Sequence, residues 1–220
     1  MSEASARLID GLLWYLECRN WAFEQISSGR SGSLPSDPKM HYSLYFANLF
    51  SAVDFIGDYL QPLGQNVDFE GRMRGDFPAP SDYDYARELR NAIVHRGLDP
   101  AAMGAQRGPL TLALCPPQLL GRGGGRHSCS FQFLVDLAAC CSQASNGAIL
   151  EVLERLQLLD VAAHVAEKTE ILAAVAATPH MPDWAKAMAY KAFDDMDFES
   201  MARAIAKNRS ARLQALLGSG

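Results

Sequence analysis

Apolar residues recur at helical spacing along nearly the whole chain, and this periodicity leaves little room for a sheet-based fold. Between residues 4 and 28, Leu8, Leu12, Tyr15, Leu16, Trp21 and Phe23 mark a helix that stops at Ser27-Ser28-Gly29. Residues 30–39 read as a loop, with Gly32, Pro35 and Pro38 as breakers. A second helix over 40–60 carries Tyr42, Tyr45, Phe46, Leu49, Phe50, Val53 and Ile56, and Pro62 and Gly64 close it. The polar stretch 65–80 holds Pro78 and Pro80, which predict a non-helical segment. Ser81 or Asp82 then caps a third helix, ended by Gly97 and Pro100.

The middle of the chain is the least helical. Residues 110–115 have β-forming composition, and 128–133 supply their expected partner. Pro116, Pro117 and the run Gly121-Arg122-Gly123-Gly124-Gly125-Arg126-His127 lie between, so the region near 108–132 reads as a hairpin arm with a mobile tip. No Gly-Lys-Ser/Thr follows the glycines, which excludes a nucleotide P-loop. A fourth helix starts near Phe133, pauses at Asn146-Gly147 and continues to Leu156. Beyond Val161 the composition turns alanine-rich, with helices expected over 162–177, 183–196 and 197–217. Arg203, Lys207, Arg209 and Arg212 read as a charged outer face of the last one. The expected fold class is mainly α. It is an antiparallel helical bundle over 1–160 with the hairpin arm inserted, and 161–220 form a C-terminal helical appendage packed on the same domain.

Composition narrows the functions. Residues that are 49% hydrophobic and 20% charged suit a soluble globular protein, and a chain of 220 residues can bury a sizeable core. A net charge of −5 argues against a general nucleic-acid coat or a membrane-surface protein, while leaving room for a local basic pocket. The first six residues carry no basic leader and no apolar run reaches membrane-spanning length, so the expected compartment is the cytoplasm. Cys18, Cys115, Cys129, Cys140 and Cys141 show no Cys-x-x-Cys spacing. They fit reduced, mostly buried thiols and neither a zinc site nor a disulfide framework; no metal or cofactor is expected.

The third helix carries the most pointed chemistry, Arg90-Asn91-x-x-x-His95. At about 100° per residue, Tyr85, Leu89, Ala92 and Ile93 share the arc that enters a core. Arg87, Asn91 and His95 form a row on the other side, with Glu88 beside it and Arg90 on its shoulder. His95 is therefore off the apolar face. Val94 and Leu98 lie next to the polar row, and a second subunit over this edge would cover them. A guanidinium can donate two parallel hydrogen bonds to a phosphate, an amide can hold an imidazole or a phosphate in place, and an imidazole can move a proton near neutral pH. RNA supplies its own nucleophile, the 2′-hydroxyl beside the scissile phosphate. A second copy across a two-fold axis would bring the second histidine that acid–base cleavage needs.

With Arg, then Asn, then three residues, then His on a helix, the chain resembles the HEPN family of all-helical domains. The likeness covers the motif and the helical pattern of about the first half of the chain. It implies a dimeric, metal-independent endoribonuclease with a composite cleft at the subunit interface, acting as a toxin or in phage defence. It implies Arg90 and His95 as the catalytic pair, Asn91 as the supporting residue, and an antitoxin as a possible partner. HEPN toxins silenced by an adenylylating antitoxin carry a tyrosine two residues after the histidine; here Gly97 stands there, after Arg96. Arg87, Arg96, Arg122, Arg126 and His127 are the candidate RNA- or phosphate-binding residues. Three functions fit: a HEPN ribonuclease, a non-catalytic RNA- or nucleotide-binding module of the same type, and a helical interaction protein whose Arg90 and His95 are surface groups. The last predicts Arg90 bonded to a nearby acid such as Glu88 or Asp84.

Overall fold

The computed structural model describes residues 3–28, 38–61, 68–107, 110–160, 165 and 167–218. Among them the chain is mainly helical: α1 (Glu3–Ser27), α2 (Pro38–Leu60), α3 (Phe69–Gly75), α4 (Pro80–Arg96), α5 (Leu134–Arg155), α6 (Lys168–Ala177), α7 (Asp183–Asp195) and α8 (Phe198–Gly218). Four short strands, β1 (Gly104–Arg107), β2 (Leu110–Ala113), β3 (Leu119–Leu120) and β4 (Arg126–His127), lie between α4 and α5. No described helix is long and apolar enough to cross a membrane.

The helical periodicity becomes packing. Leu8, Leu12 and Leu16 of α1 and Tyr45, Phe46, Leu49 and Phe50 of α2 are buried in one continuous core. The pairs Gly11 with Phe55 and Trp21 with His41 run in opposite senses, so α1 and α2 are antiparallel. Gly11 permits their close approach, because a Cβ there would overlap the Phe55 ring. Phe50 meets Tyr83, and Asp54 meets Arg87 and Arg90, so α4 runs alongside α2 in the same direction. Helix α5 closes the core, and the Tyr45 hydroxyl bonds the Ala138 carbonyl and the Ser142 hydroxyl. Helix α8 lies on α1: Leu213 and Leu217 enter the same core, and the Asn20 side-chain amide donates to the Leu216 carbonyl at 3.0 Å. Arg209 and Arg212, expected on an open surface, pair with Asp10 and Glu17 of α1. By contrast, α6 and α7 pack mainly on each other and bury no residue fully.

Several local expectations need correction. The stretch 65–80, expected to be non-helical, contains α3. Its N-cap is Asp68, whose carboxylate accepts from the Gly71 N–H at 2.8 Å. The prolines lie beyond its end, and Pro80 occupies the first position of α4, where a missing N–H costs nothing. Neither Ser81 nor Asp82 caps α4. Ala79 stands at the cap without a side-chain bond, and Asp82 points inward to accept from the Ser130 N–H and hydroxyl, both at 2.7 Å. The hairpin is also rearranged. Strand β2 pairs with β1, Gly104 opposite Ala113, although β1 reads Gly-Ala-Gln-Arg and lacks β-formers. The expected partner 128–133 meets this region only through the Leu114–Phe133 bridge and the bond from Cys115 N–H to the Gln132 carbonyl. β3 and β4 form a second, smaller hairpin turning at Gly124, whose φ is 77°. Helix α5 runs unbroken through Asn146-Gly147, carried by buried neighbours on either side. Of the expected loop 30–39, residues 30–37 lie outside the described residues, as do Pro62, Gly64 and residues 162–164 of the alanine-rich helix.

Candidate functional site on helix α4

Helix α4 is amphipathic as its sequence requires: Tyr85, Leu89 and Ala92 are buried and Ile93 is half-buried against the core. Gly97 ends it with φ 67°, a left-handed conformation that Leu98 exploits by donating its N–H to the Ala92 carbonyl at 3.1 Å. His95 therefore sits in the last turn.

The row opposite the core is a chain of charges. Arg87 Nη2 bonds Asp54 Oδ1 at 2.8 Å, and its Nη1 lies 3.4 Å from Glu70 Oε1. Its guanidinium also stands over the Phe50 ring, 5.7 Å from the centroid. Arg90 Nη2 lies 3.5 Å from the other oxygen of Asp54, and Arg90 Nη1 donates to Asn91 Oδ1 at 3.2 Å. The Arg90 side chain is 22% exposed, and its buried Nε–H has no hydrogen-bond partner among the described residues. Arg96 forms an ion pair with Glu88 at 2.6 Å, while Arg74 of α3 bonds Asp84 at 2.7 Å. Arg90 thus pairs with an acid, but with one delivered by α2 and not with Glu88 or Asp84. His95 is exposed, and no hydrogen bond or ion pair holds it among the described residues. Val94 beside it is 48% exposed, whereas Leu98 packs partly against the core.

The structure brings Arg87, Arg90 and Asn91 together around Asp54, with His95 one turn further on. Arg122 and Arg126 are exposed on the small hairpin, and His127 is half-buried there against Gly121. That hairpin packs on α4 near Tyr85, whose hydroxyl donates to the Pro116 carbonyl at 2.7 Å. Tyr85 lies about 140° around the helix from Arg90 at 100° per residue. By the same count His95 is also about 140° from Arg90 and about 80° from Tyr85, so the arm is anchored nearer His95 than Arg90.

Asp54 and Glu70 were not legible as site residues, because nothing in their local sequence says which arginine they meet. With Asp58, Asp68, Phe69 and Arg87 they line an open groove of about 740 Å³ between α2 and α3. Four carboxylates against one guanidinium make this groove unfit for a polyanion. A phosphate would find its cation at Arg90, on the other oxygen of Asp54. Among the described residues no group of three or more His, Cys, Asp or Glu side chains is arranged to hold a metal ion.

A second cluster lies where the arm meets α4. The Cys129 thiol donates to the Phe131 carbonyl at 3.5 Å, and Cys115 and Tyr85 are near enough to influence it. Cys115 is buried and Cys129 half-buried, and both are free thiols. The neighbouring Cys115 holds Cys129 below the usual thiol range, while Cys129 and burial push Cys115 up.

No family model matches this chain, and no curated protein or solved structure matches it either.

Proposed function

We propose that this chain is a metal-independent endoribonuclease of HEPN type that works as a homodimer, in a toxin or phage-defence role. The observation that carries this reading is the outward edge of α4. A half-buried Arg90 is oriented by Asn91 and Asp54, and an exposed His95, unpaired among the described residues, follows in the last turn. The exposed Val94 between them suits burial against a second copy. Paired two-fold, the edge presents two guanidiniums and two imidazoles to one strand of RNA. One His95 takes the proton of the 2′-hydroxyl as its oxygen attacks phosphorus. The second gives a proton to the departing 5′-oxygen, and each Arg90 donates to the non-bridging oxygens. The products are a 2′,3′-cyclic phosphate and a free 5′-hydroxyl.

A second reading is favoured by one observation, the neutralisation of Arg87 and Arg90 by a common Asp54. In that reading the edge holds RNA, a nucleotide or a protein helix without turnover.

The test is cleavage of mixed cellular RNA by the purified protein in EDTA, with His95→Ala alongside and its fold checked by circular dichroism. Cleavage by the parent alone, leaving cyclic phosphate ends, supports the nuclease. A parent that binds RNA without cutting it moves the assignment to the binding module.

A further inference from the structure

We propose that the outer face of α7 is a self-association surface, on which a second copy of this chain lays its own α7 antiparallel. The inference does not rest on the nuclease reading, whose two-fold runs through α4.

The hairpin α6–α7 leaves much of its apolar surface open. Its inner side closes on half-buried groups: the Phe193 ring meets Phe198 with centroids 5.9 Å apart, Lys186 donates to the Ala176 carbonyl at 2.8 Å, and Lys168 pairs with Asp194 at 2.8 Å. Half a turn round the helix from Phe193, Trp184 is 68% exposed and Met188 66%. Ala187 and Ala192, also exposed, flank them. A helix face built around an exposed indole and thioether calls for a cover, and the alanines beside them let a second helix approach closely.

Charge identifies the cover. On this side of α7 the exposed charges are Asp183, Lys191 and Asp195, and none of them forms an ion pair among the described residues. One cation between two acids, with Asp197 and Glu199 just beyond, repels a polyanion or an anionic membrane. The same charges complement a reversed copy of themselves. Helix α7 starts at Pro182 without a side-chain cap and ends on Asp194 and Asp195 with no basic residue in its last turn. Its terminal acids therefore lie at the end where the helix dipole disfavours them. An antiparallel copy reverses this. With the two-fold axis at Met188, Asp195 falls opposite Met181 of the second copy, beside the free N–H groups at the start of that helix. In the same register Trp184 covers Ala192 of the second copy. Lys191 falls opposite its Ala185, on the flank that carries its Asp183. The symmetry makes each contact twice.

A single helix of 13 residues offers less than the about 800 Å² per partner of a standard interface. The association is therefore reversible and concentration-dependent. Where α4 pairs as well, the two contacts build an assembly larger than a dimer, and the α7 contact can still be removed on its own.

The experiment is sedimentation velocity of the full chain over a range of micromolar concentrations, with Trp184→Glu, Lys191→Asp and the double variant Lys191→Asp/Asp183→Lys alongside. The mass of the parent should rise with concentration. Trp184→Glu should halve the mass reached at the highest concentration and keep the parent's circular dichroism, because an exposed side chain carries little of the fold. Lys191→Asp should weaken association by about fivefold or more, and adding Asp183→Lys should restore it. Equal masses for the parent and Trp184→Glu at every concentration overturn the proposal, and so does a double variant no better than Lys191→Asp. A parent that stays unassociated but binds phosphatidylserine vesicles through Trp184 assigns the face to lipid and overturns it too. The charge swap decides the matter where Trp184→Glu fails to fold.

Discussion

Asp54 receives two arginines from the same helix: Arg87 on one carboxylate oxygen at 2.8 Å and Arg90 on the other at 3.5 Å. The carboxylate on α2 thereby fixes the register of α4 beside it and sets how much positive charge α4 offers to solvent. Only part of that charge is committed, because the contact to Arg90 is long.

Asp54→Asn therefore releases charge toward a phosphate. RNA binding by the variant should tighten and its salt dependence steepen, as expected when more cationic groups displace counterions. The ion pairs are partly exposed, so unfolding free energy should change by less than about 1 kcal/mol. Fluorescence anisotropy with a single-stranded RNA at several salt concentrations reads both effects. Unchanged affinity at every salt concentration would remove Arg90 from the RNA site.

Arg90→Lys keeps the charge and loses the fork. If Arg90 grips the phosphate through parallel N–H groups, cleavage should fall by about tenfold or more. Thermal stability should stay nearly the same, because Asp54 keeps Arg87. Parent-like rates in this variant would mean that the guanidinium does not touch the scissile group.

Asp82 is fully buried and anchors residue 130 to the first turn of α4 through two bonds of 2.7 Å. Asp82→Ala strands the Ser130 N–H and hydroxyl and should cost about 1–3 kcal/mol. For a chain of this size each kcal/mol lowers Tm by about 2–4 °C, which a calorimetric scan resolves. A shift under 1 °C would show that water replaces the carboxylate at no cost.

Alkaline pH should unfold the protein steeply. Burial pushes the Tyr83 hydroxyl up to about 12, and burial also raises Tyr42, Tyr45 and Tyr85. In the unfolded chain these tyrosines lose protons near pH 10. The folded chain then holds more protons than the unfolded one, so stability is intact below pH 10 and falls as pH rises through the window toward 12 and beyond. Each tyrosine that stays protonated only in the folded state removes about 1.4 kcal/mol per pH unit. Urea unfolding at pH 8, 10 and 11 measures the slope, and a flat profile would mean that the hydroxyls ionise without leaving the core.

The helical class was legible because periodic burial is a local property: Leu8, Leu12 and Leu16, or Tyr85, Leu89 and Ala92, need only the helix repeat to reveal one face. Gly97 was legible as a terminator for the same reason, since a left-handed cap favours a residue without a Cβ. The sequence also placed Arg87, Asn91 and His95 off the apolar arc. What the tertiary structure decided is where long-range partners fall. Asp82 looked like a cap and became a buried anchor for Ser130, 48 residues away. β1, with no strand-forming composition, became a strand because β2 lay beside it. Asp54 entered the site only when α2 packed along α4. Helix periodicity is written in neighbouring residues, whereas ion pairs and hairpin partners depend on which surfaces the folded core brings face to face.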